Sequence, residues 1–320
     1  MNSPILHIQN LCIGYTQSIC NPISATVRKG EFIGLAGKNG AGKSTLIKTL
    51  IGIQPSLSGE IYIKGENIQN WNHIKRAKEI AVVFSRLDHV PAIPVQELVV
   101  LGRLPYGNGF SKLNSYELNL MDESLDAVGI AHLKNKLATE LSDGQLQMVM
   151  IARALVQETD LILMDEPTSH LDIENQFKIF ELVDNLASKT GKTFIVASHQ
   201  IELLIQNSTQ LWWMNQGEFH AGFPEQIAYE QEIFDQLSQN SIRFNYQTGN
   251  FQFHYPKLKT IGWKGDGSKF AFWTKKALER CGYDLISNSD QEIQIINNQI
   301  RLNHHTFDTI EKLMNFLEEN

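Results

Sequence analysis

A stretch of nine residues constrains the fold of this chain more than any other: Gly37-Lys38-Asn39-Gly40-Ala41-Gly42-Lys43-Ser44-Thr45. The apolar run before it, 32–36, is typical of a short buried strand, and 46–51 after it has apolar residues at helical spacing. A strand, a glycine-rich turn and a helix form the context in which G-x-x-x-x-G-K-[ST] binds phosphate. The alternative is a glycine-rich turn without a ligand, but every fixed position of the motif is filled. The stretch therefore predicts a nucleoside triphosphate site.

The chemistry of such a loop requires these residue types. The glycines at positions 37, 40 and 42 can adopt positive φ, and they let backbone N–H groups approach phosphate oxygens without interference from a Cβ atom. The helix that follows adds unpaired N–H groups and the positive end of its dipole. We expect Lys43 to reach the β- and γ-phosphates and the Ser44 hydroxyl to bind Mg²⁺.

Composition limits the class of protein. The chain has 320 residues, of which 42% are hydrophobic, and this predicts one large domain with a smaller addition. Its net charge of −7 argues against a general nucleic-acid binder. The three cysteines are scattered without a C-x-x-C pair, which suits a reducing compartment. Neither a signal peptide nor an apolar run of about 18 residues is visible, so we do not expect this chain to cross a membrane.

The order of strands and helices predicts an α/β fold for the first domain, 1–228. Continuous apolar strands at 161–164 and 194–197 alternate with helices, which indicates a mainly parallel sheet with its site at the carboxyl ends of the strands. A β-rich opening at 4–30 and a helical insertion at about 95–160 complete this domain.

A change of pattern marks a second domain, 229–320. Short alternating strands occur there with a helix at 269–280 and an amphipathic closing helix at 306–317. This segment predicts a small α+β domain without a catalytic constellation.

Polar residues follow the two apolar strands. Asp165 and Glu166 end the first, where one carboxylate can hold Mg²⁺ and the next can orient an attacking water. His199 follows the second strand and can contact a γ-phosphate, although a histidine at such a position is often structural. Upstream of the loop, Tyr15 follows a glycine and can stack on a base or pack in the core.

Taken together, the motifs of this chain resemble the ATPase cassette of ABC transporters. The similarity covers roughly 4–225 and rests on five motifs in a fixed order: Gly37 to Thr45, Leu141-Ser142-Asp143-Gly144-Gln145, Leu161 to Glu166, Ser169-His170-Leu171-Asp172, and His199. The resemblance implies a P-loop NTPase cassette with a mainly parallel core sheet, an antiparallel β subdomain and a helical subdomain. It also implies ATP and Mg²⁺ as ligands and ATP hydrolysis as the activity.

The resemblance assigns a role to each matching residue. It implies that Tyr15 stacks on adenine and that the nine-residue loop, with Lys43 and Ser44, holds the phosphates and Mg²⁺. Asp165 then serves the metal, Glu166 is the general base, and His199 contacts the γ-phosphate.

A second set of matching residues implies a homodimer. In the family, the signature motif, here Ser142, Asp143, Gly144 and Gln145, covers the ATP that the other subunit holds, and we count Asp172 among the nucleotide-binding residues. The signature opens a helix, with Ser142 as a plausible N-cap and Gln145 at the capping-box position. Its free N–H groups can receive a γ-phosphate, so two cassettes would sandwich two ATP molecules.

The chain departs from the family pattern at two positions. Asp143 stands where the family usually has glycine. Ser85 stands where the family has a glutamine after a strand, and we predict it as a metal-site residue that reaches Mg²⁺ through water. Because the serine side chain is shorter, our hypothesis is a weakened or altered link between hydrolysis and the membrane partner.

The segment 94–106 is similar to the one that adjoins the permease in importers of iron-siderophore complexes, haem and vitamin B12. It predicts the ATP-hydrolysing subunit of an iron-chelate or cobalamin importer, peripheral to the cytoplasmic face of the inner membrane. Its expected partners are permease subunits, a second copy and, indirectly, a periplasmic or lipoprotein substrate-binding protein. Two alternatives stay open: a soluble ABC ATPase that acts on nucleic acid or ribosomes, and a regulatory nucleotide-binding module.

Overall fold

A computed structural model describes residues 4–85, 89–107, 114–238, 242–247, 250–253, 255–287, 289 and 291–319. The chain divides into two compact units, Met1–Gln231 and Glu232–Asn320, which we call the amino-terminal and carboxyl-terminal units. The sequence placed this boundary at 228/229.

The amino-terminal unit contains strands and helices in alternation. Its strands are β1 (Leu6–Cys12), β2 (Ile23–Val27), β3 (Phe32–Gly37), β4 (Ser58–Ile63), β5 (Glu66–Asn67), β6 (Ile80–Phe84), β7 (Leu161–Asp165), β8 (Thr193–Ala197), β9 (Gln210–Asn215) and β10 (Glu218–Gly222). Its helices are α1 (Lys43–Leu50), α2 (His73–Glu79), α3 (Val95–Val100), α4 (Ser115–Ala127), α5 (Asp143–Leu155), α6 (Ile173–Thr190), α7 (Ile201–Asn207) and α8 (Pro224–Glu230).

A six-stranded sheet forms the core of the amino-terminal unit, in the order β10-β9-β3-β8-β7-β6. All its neighbouring strands are parallel except the edge pair of β9 and β10. Every residue of β3 and β8 is buried, as expected for strands covered on both faces. The carboxyl ends of β3, β7 and β8 therefore meet at one edge of the sheet, and the polar residues that follow them come together there.

A second sheet is antiparallel, with the order β2-β1-β4-β5. Its apolar side chains, among them Leu6, Ile8 and Ile61, pack into one core with the central strands of the six-stranded sheet. Those strands contribute Ile33 of β3 and Ile195 of β8. The loop between β1 and β2 carries Tyr15, so this sheet fixes the base of that loop.

The helical insertion contains α3, α4 and α5, with a 3₁₀ segment at Leu101–Tyr106. Helix α3 ends at Val100, and the chain then approaches α5 closely: a Cβ on Gly102 would lie 2.2 Å from the carbonyl oxygen of Arg153. The buried Arg103 follows and donates a hydrogen bond of 2.6 Å to Glu158.

The carboxyl-terminal unit contains α9 (Ile233–Leu237), β11 (Ile242–Asn245), β12 (Asn250–Phe253), β13 (Lys259–Lys264), α10 (Lys269–Arg280), β14 (Tyr283–Ile286), β15 (Glu292–Ile296), β16 (Gln299–Leu302), β17 (His305–Phe307) and α11 (Ile310–Glu319). Strands β11 and β12 form a hairpin, and the others form a sheet in the order β14-β13-β15-β16-β17. Helices α10 and α11 contribute Leu278 and Leu313 to its separate core.

The predicted start of the closing helix at Thr306 is wrong. Thr306 and Phe307 belong to β17, which pairs with β16, and α11 begins at Ile310 after Thr309, whose Oγ1 accepts a hydrogen bond of 3.2 Å from the amide of Lys312. The ring of Phe307 packs on Phe316 of α11, with ring centroids 5.3 Å apart. Phe307 is therefore apolar like the buried face of α11, and in the sequence it extended the apolar pattern of that helix toward the amino terminus.

Within the described ranges, no helix has both the length and the apolar composition needed to span a lipid bilayer.

Candidate nucleotide site

The phosphate loop joins β3 to α1, and its backbone depends on glycine. Gly40 and Gly42 have φ of 79° and 105°, a region that other residues rarely adopt. A Cβ on Gly42 would lie 2.3 Å from Cδ1 of Ile19, and one on Gly37 would lie 2.2 Å from the carbonyl oxygen of Met214. Side chains at Gly37 and Gly42 would therefore collide with Met214 and Ile19, so the packing of the loop requires glycine at both positions.

The ammonium group of Lys43 lies inside this loop. The residue is 6% exposed, and its Nζ donates a hydrogen bond of 2.9 Å to the carbonyl oxygen of Gly37. Burial lowers the pKa of Lys43, while the negative charges of Glu166 and Asp165 oppose that shift. A positive charge is thus held next to the start of α1, where an anion would be stabilised.

Ser44 and Asp165 form a pair of oxygen ligands. The Ser44 hydroxyl, in the first turn of α1, donates a hydrogen bond of 3.0 Å to Oδ1 of Asp165 at the end of β7. Hydroxyl and carboxylate oxygens suit Mg²⁺, which binds a few protein oxygens together with phosphate and water. Across the described residues, no group of three or more His, Cys, Asp or Glu side chains could hold a metal ion. The pair fits a metal that a substrate phosphate would help to bind.

Glu166 is held in an unusual backbone conformation. Its φ is 53°, and its amide donates a hydrogen bond of 3.0 Å to the carbonyl oxygen of Ala197 on β8. The amide and hydroxyl of Ser169 both donate to the carbonyl oxygen of Glu166, at 3.2 and 3.0 Å. Non-glycine residues with positive φ are concentrated at functional sites, where surrounding contacts maintain them.

The carboxylate of Glu166 faces both Lys43 and His199. Its Oε1 lies 3.8 Å from Nζ of Lys43 and 3.0 Å from Nε2 of His199. Neither nitrogen donates a well-aligned hydrogen bond, so this buried oxygen lacks a donor among the residues described. Burial raises the pKa of Glu166, an effect that the charge of Lys43 opposes. This buried oxygen therefore retains unused acceptor capacity.

His199 follows β8 and is half exposed. Burial, followed by the positive charge of Lys43, lowers the pKa of the imidazole. The neutral ring is therefore favoured at neutral pH, and its Nε2 can act as donor or acceptor according to tautomer. The loops after β7 and β8 also touch at Thr168 and Ser198, whose hydroxyl oxygens lie 3.5 Å apart.

The structure brings the loop, Asp165, Glu166 and His199 together, and these residues fit a triphosphate with a divalent metal. Tyr15 lies on the segment between β1 and β2 that also contacts the loop. Its side chain is 67% exposed, so it is not a core residue, and the segment that carries it also holds Ile19 against Gly42. The amide of Gln54 fixes this segment by donating to the carbonyl oxygen of Gly14 at 3.1 Å.

The predicted signature residues open α5. The Ser142 hydroxyl accepts a hydrogen bond of 3.3 Å from the amide of Gln145, and the Gln145 side chain accepts one of 3.2 Å from the amide of Ser142. This is a complete capping box. Ser142 and Asp143 are exposed, and Gly144 lies against Asn175, where a Cβ would come within 2.9 Å of the side-chain carbon Cγ. Asp172 caps α6, because its Oδ1 accepts a hydrogen bond of 2.8 Å from the amide of Asn175.

Ser85 follows β6, where Phe84 pairs in register with Asp165. It lines a cleft of about 220 Å³ together with Asp143, Gln147 and His170. Gln147 is buried, and its side-chain amide lies 3.5 Å from the carbonyl oxygen of Phe84. Ser85 thus lies between the sheet edge and the start of α5, and its role toward a metal stays a prediction.

Sequence reasoning gave no role to the residues that hold Glu166 in place. Ser169 was part of a motif, but its bonds to the Glu166 carbonyl depend on the turn that the backbone makes there. Ser198 directly follows β8, and Thr168 is the third residue after β7. Their positions just after the two buried strands are the signal that could have identified them.

Comparisons with known proteins identify the family of this chain. The family described as "ABC transporter" matches residues 20–169, and the family described as "Iron ABC transporter C-terminal domain" matches residues 258–318. The iron(3+)-hydroxamate import ATP-binding protein FhuC of Bacillus subtilis (strain 168) is 36% identical over 202 residues, which cover 63% of this chain and 74% of that protein.

Solved structures are similar over the same part of the chain. An inward-facing conformation of a putative metal-chelate type ABC transporter has a TM-score of 0.63 and 30% identity, and the match covers 70% of this chain and 85% of that one. A dimeric structure of a bacterial ABC transporter cassette has a TM-score of 0.60 and 25% identity, with 68% and 98% of the two chains covered.

Proposed function

This chain belongs to the ATP-binding subunits of ABC transporters, which hydrolyse ATP, and we propose that its hydrolysis drives the import of an iron chelate. One observation carries the catalytic part: the Glu166 carboxylate lies between Lys43 and His199, beside the Ser44–Asp165 pair. The match of residues 258–318 to an iron transporter domain and the similarity to a hydroxamate importer subunit support the cargo class.

The loop binds the triphosphate of ATP and orients its γ-phosphate. Lys43 neutralises phosphate charge, and the N–H groups at the start of α1 donate to phosphate oxygens. Ser44 and Asp165 would hold Mg²⁺, and the metal would neutralise the negative charge that develops on the phosphates. Tyr15, exposed beside the loop, stacks on the adenine ring.

Hydrolysis needs a base for the attacking water. The carboxylate of Glu166, which is next to Lys43 and His199, accepts the proton of that water. His199 contacts the γ-phosphate and fixes the water relative to Glu166 through the 3.0 Å approach of its Nε2. The capped, exposed start of α5 receives the γ-phosphate of the ATP bound to a second copy, so the working form is a homodimer.

A cleft in the amino-terminal unit supports a permease as partner. It has a volume of about 500 Å³ and lies between the β6 side of the sheet and α5. Its lining combines Ile53 and Phe84, both exposed, with Arg76 and Arg153. An apolar surface flanked by cations could receive a helix of a membrane protein, and this supports a position at the cytoplasmic face of that membrane.

The Glu166→Gln variant tests the catalytic proposal. Loss of a general base lowers the rate by about 10²–10⁴-fold, while ATP binding persists because the loop is unchanged. Glu174→Gln is the matched control, since this exposed residue of α6 pairs with Lys178 and lies outside the cluster. An unchanged ATPase rate in Glu166→Gln would overturn the assignment, and ATP binding without hydrolysis in the unmodified protein would favour a regulatory module.

The cargo is tested in the assembled transporter. We expect co-expressed permease subunits to co-purify with this chain. In proteoliposomes, a ferric hydroxamate with its binding protein should then stimulate ATP hydrolysis. A complex that responds to cobalamin and ignores iron chelates would contradict the cargo class.

A further inference from the structure

Five aromatic side chains line one groove in the carboxyl-terminal unit. They belong to the β12 region and to α10, and the groove has a volume of about 390 Å³; the residues are Phe251, Phe253, Tyr255, Phe272 and Trp273. This volume lies within the range of small-molecule sites, about 300–1,000 Å³.

The aromatic residues of α10 do not serve the core of this unit. Helix α10 buries Ala271, Thr274 and Leu278 against the sheet and directs Phe272 and Trp273 outward. These two side chains are 53% and 62% exposed, and Phe253 across the groove is 64% exposed. A cluster of exposed aromatic residues is unusual on a protein surface and marks a binding site.

The groove is pre-formed on one side. The Phe251 ring packs on Phe244 and Phe234, with centroid distances of 5.2 and 5.8 Å. On the opposite wall the rings of Phe272 and Trp273 stand at 83° to each other, 5.2 Å apart. A flat ligand can therefore meet ring faces and edges without a rearrangement of the walls.

The charge of the groove is positive. Lys276 and Arg280 line it with a single carboxylate, Glu279, which lies 3.4 Å from the Lys276 ammonium. Nζ of Lys276 is also 5.9 Å from the centre of the Phe272 ring. Arg280 forms no ion pair with any residue in the described ranges, so one cation is available to a ligand.

We propose that this groove binds a hydroxylated aryl carboxylate, an aromatic anion whose carboxylate and phenolic oxygen atoms also chelate ferric iron. The ring of such a ligand stacks on Phe272 and Trp273, and its negative charge pairs with Arg280 and Lys276. The link to iron rests on the proposed function, whereas the preference for an aromatic anion rests on the groove itself.

Equilibrium dialysis of the full-length protein tests the proposal, with 2,3-dihydroxybenzoate and its ferric complex as separate probes. Neutral catechol and succinate, an anion without a ring, are the comparison ligands. We expect the aryl carboxylate to bind more tightly than both, with an affinity that falls as salt is added. If the ferric complex binds more strongly, the ligand of the groove is the iron-loaded chelate. If the free acid binds more strongly, the ligand is the iron-free form.

Matched variants separate the groove from the rest of the surface. Phe272→Ala should weaken binding by at least about fivefold, the lower end for loss of a stacking aromatic. Phe177→Ala is its control, because Phe177 on α6 is also 53% exposed. Arg280→Gln should weaken binding and reduce its salt dependence, whereas Lys275→Gln, on the same helix outside the lining, should do neither.

Equal binding of catechol, or affinities unchanged by both Phe272→Ala and Arg280→Gln, would overturn the proposal. So would an absence of binding at millimolar probe. Because the measurement uses neither nucleotide nor membrane, its failure is distinguishable from a failure of ATP hydrolysis or of import.

Discussion

At the residue scale, the fold gives Glu166 the surroundings that a general base needs. Its backbone is held at positive φ by hydrogen bonds from and to neighbouring loops, and its carboxylate is buried next to one cation. Burial disfavours the charged carboxylate and Lys43 favours it, with burial the larger effect. A base with a pKa above that of an ordinary glutamate is better matched to neutral pH.

The pH dependence of hydrolysis follows from this shift. Glu166 acts only when deprotonated, so activity falls as the pH drops through its raised pKa, above the ordinary value of 4.5. Burial and the charge of Lys43 lower the pKa of His199 from its ordinary value of 6.5, so the imidazole becomes charged at a lower pH than an ordinary histidine does. We expect kcat plotted against pH to lose activity at a higher pH than an ordinary glutamate would give. A flat profile down to pH 4.5 would contradict this assignment.

Ser85 permits a second test at the residue scale. It lines the 220 Å³ cleft beside Asp143, so a glutamine has room there. If the short serine side chain weakens the link to the permease, Ser85→Gln should increase the stimulation of ATPase activity by cargo in the assembled transporter. Ser115→Gln, at an exposed position that opens α4, is the control. No change in either ATPase rate or transport would remove the hypothesis.

Two helices with the same type of cap allow a test at the scale of elements. Ser142 caps α5 and Asn114 caps α4, and each forms a complete capping box. Replacing either cap with alanine should lower the free energy of unfolding by about 1 kcal/mol, measured in urea. Only Ser142→Ala should also impair ATP-dependent dimerisation, because only α5 is proposed to face a second nucleotide. If both variants lose dimerisation equally, Ser142 acts only as a structural cap of α5.

The elements also show what could be predicted from sequence. Strands β7 and β8 and helices α5 and α10 were predictable because an apolar run or a cap marks each of them locally. Strand β17 was not, because its pairing with β16 and the packing of Phe307 on Phe316 depend on contacts formed only in the fold.

At the scale of the whole molecule, the sequence located the nucleotide site better than it explained it. The motifs predicted the cluster of Lys43, Asp165, Glu166 and His199. They did not predict the missing donor at Oε1 of Glu166, which results from side-chain angles. The motif at Ser142 opens α5 on an exposed surface, and a single chain leaves its role incomplete. The proposed nucleotide site therefore needs a second copy of the chain to be complete.

The mass of the Glu166→Gln protein in solution is the most direct test of the proposed ATP-dependent homodimer. Light scattering after size-exclusion chromatography should give the mass of one chain without nucleotide and of two chains in saturating ATP and Mg²⁺. Adding Ser142→Ala to this variant should restore the single-chain mass. If the Glu166→Gln protein binds ATP and still has the mass of one chain, the proposed sandwich of two nucleotides between two copies is contradicted.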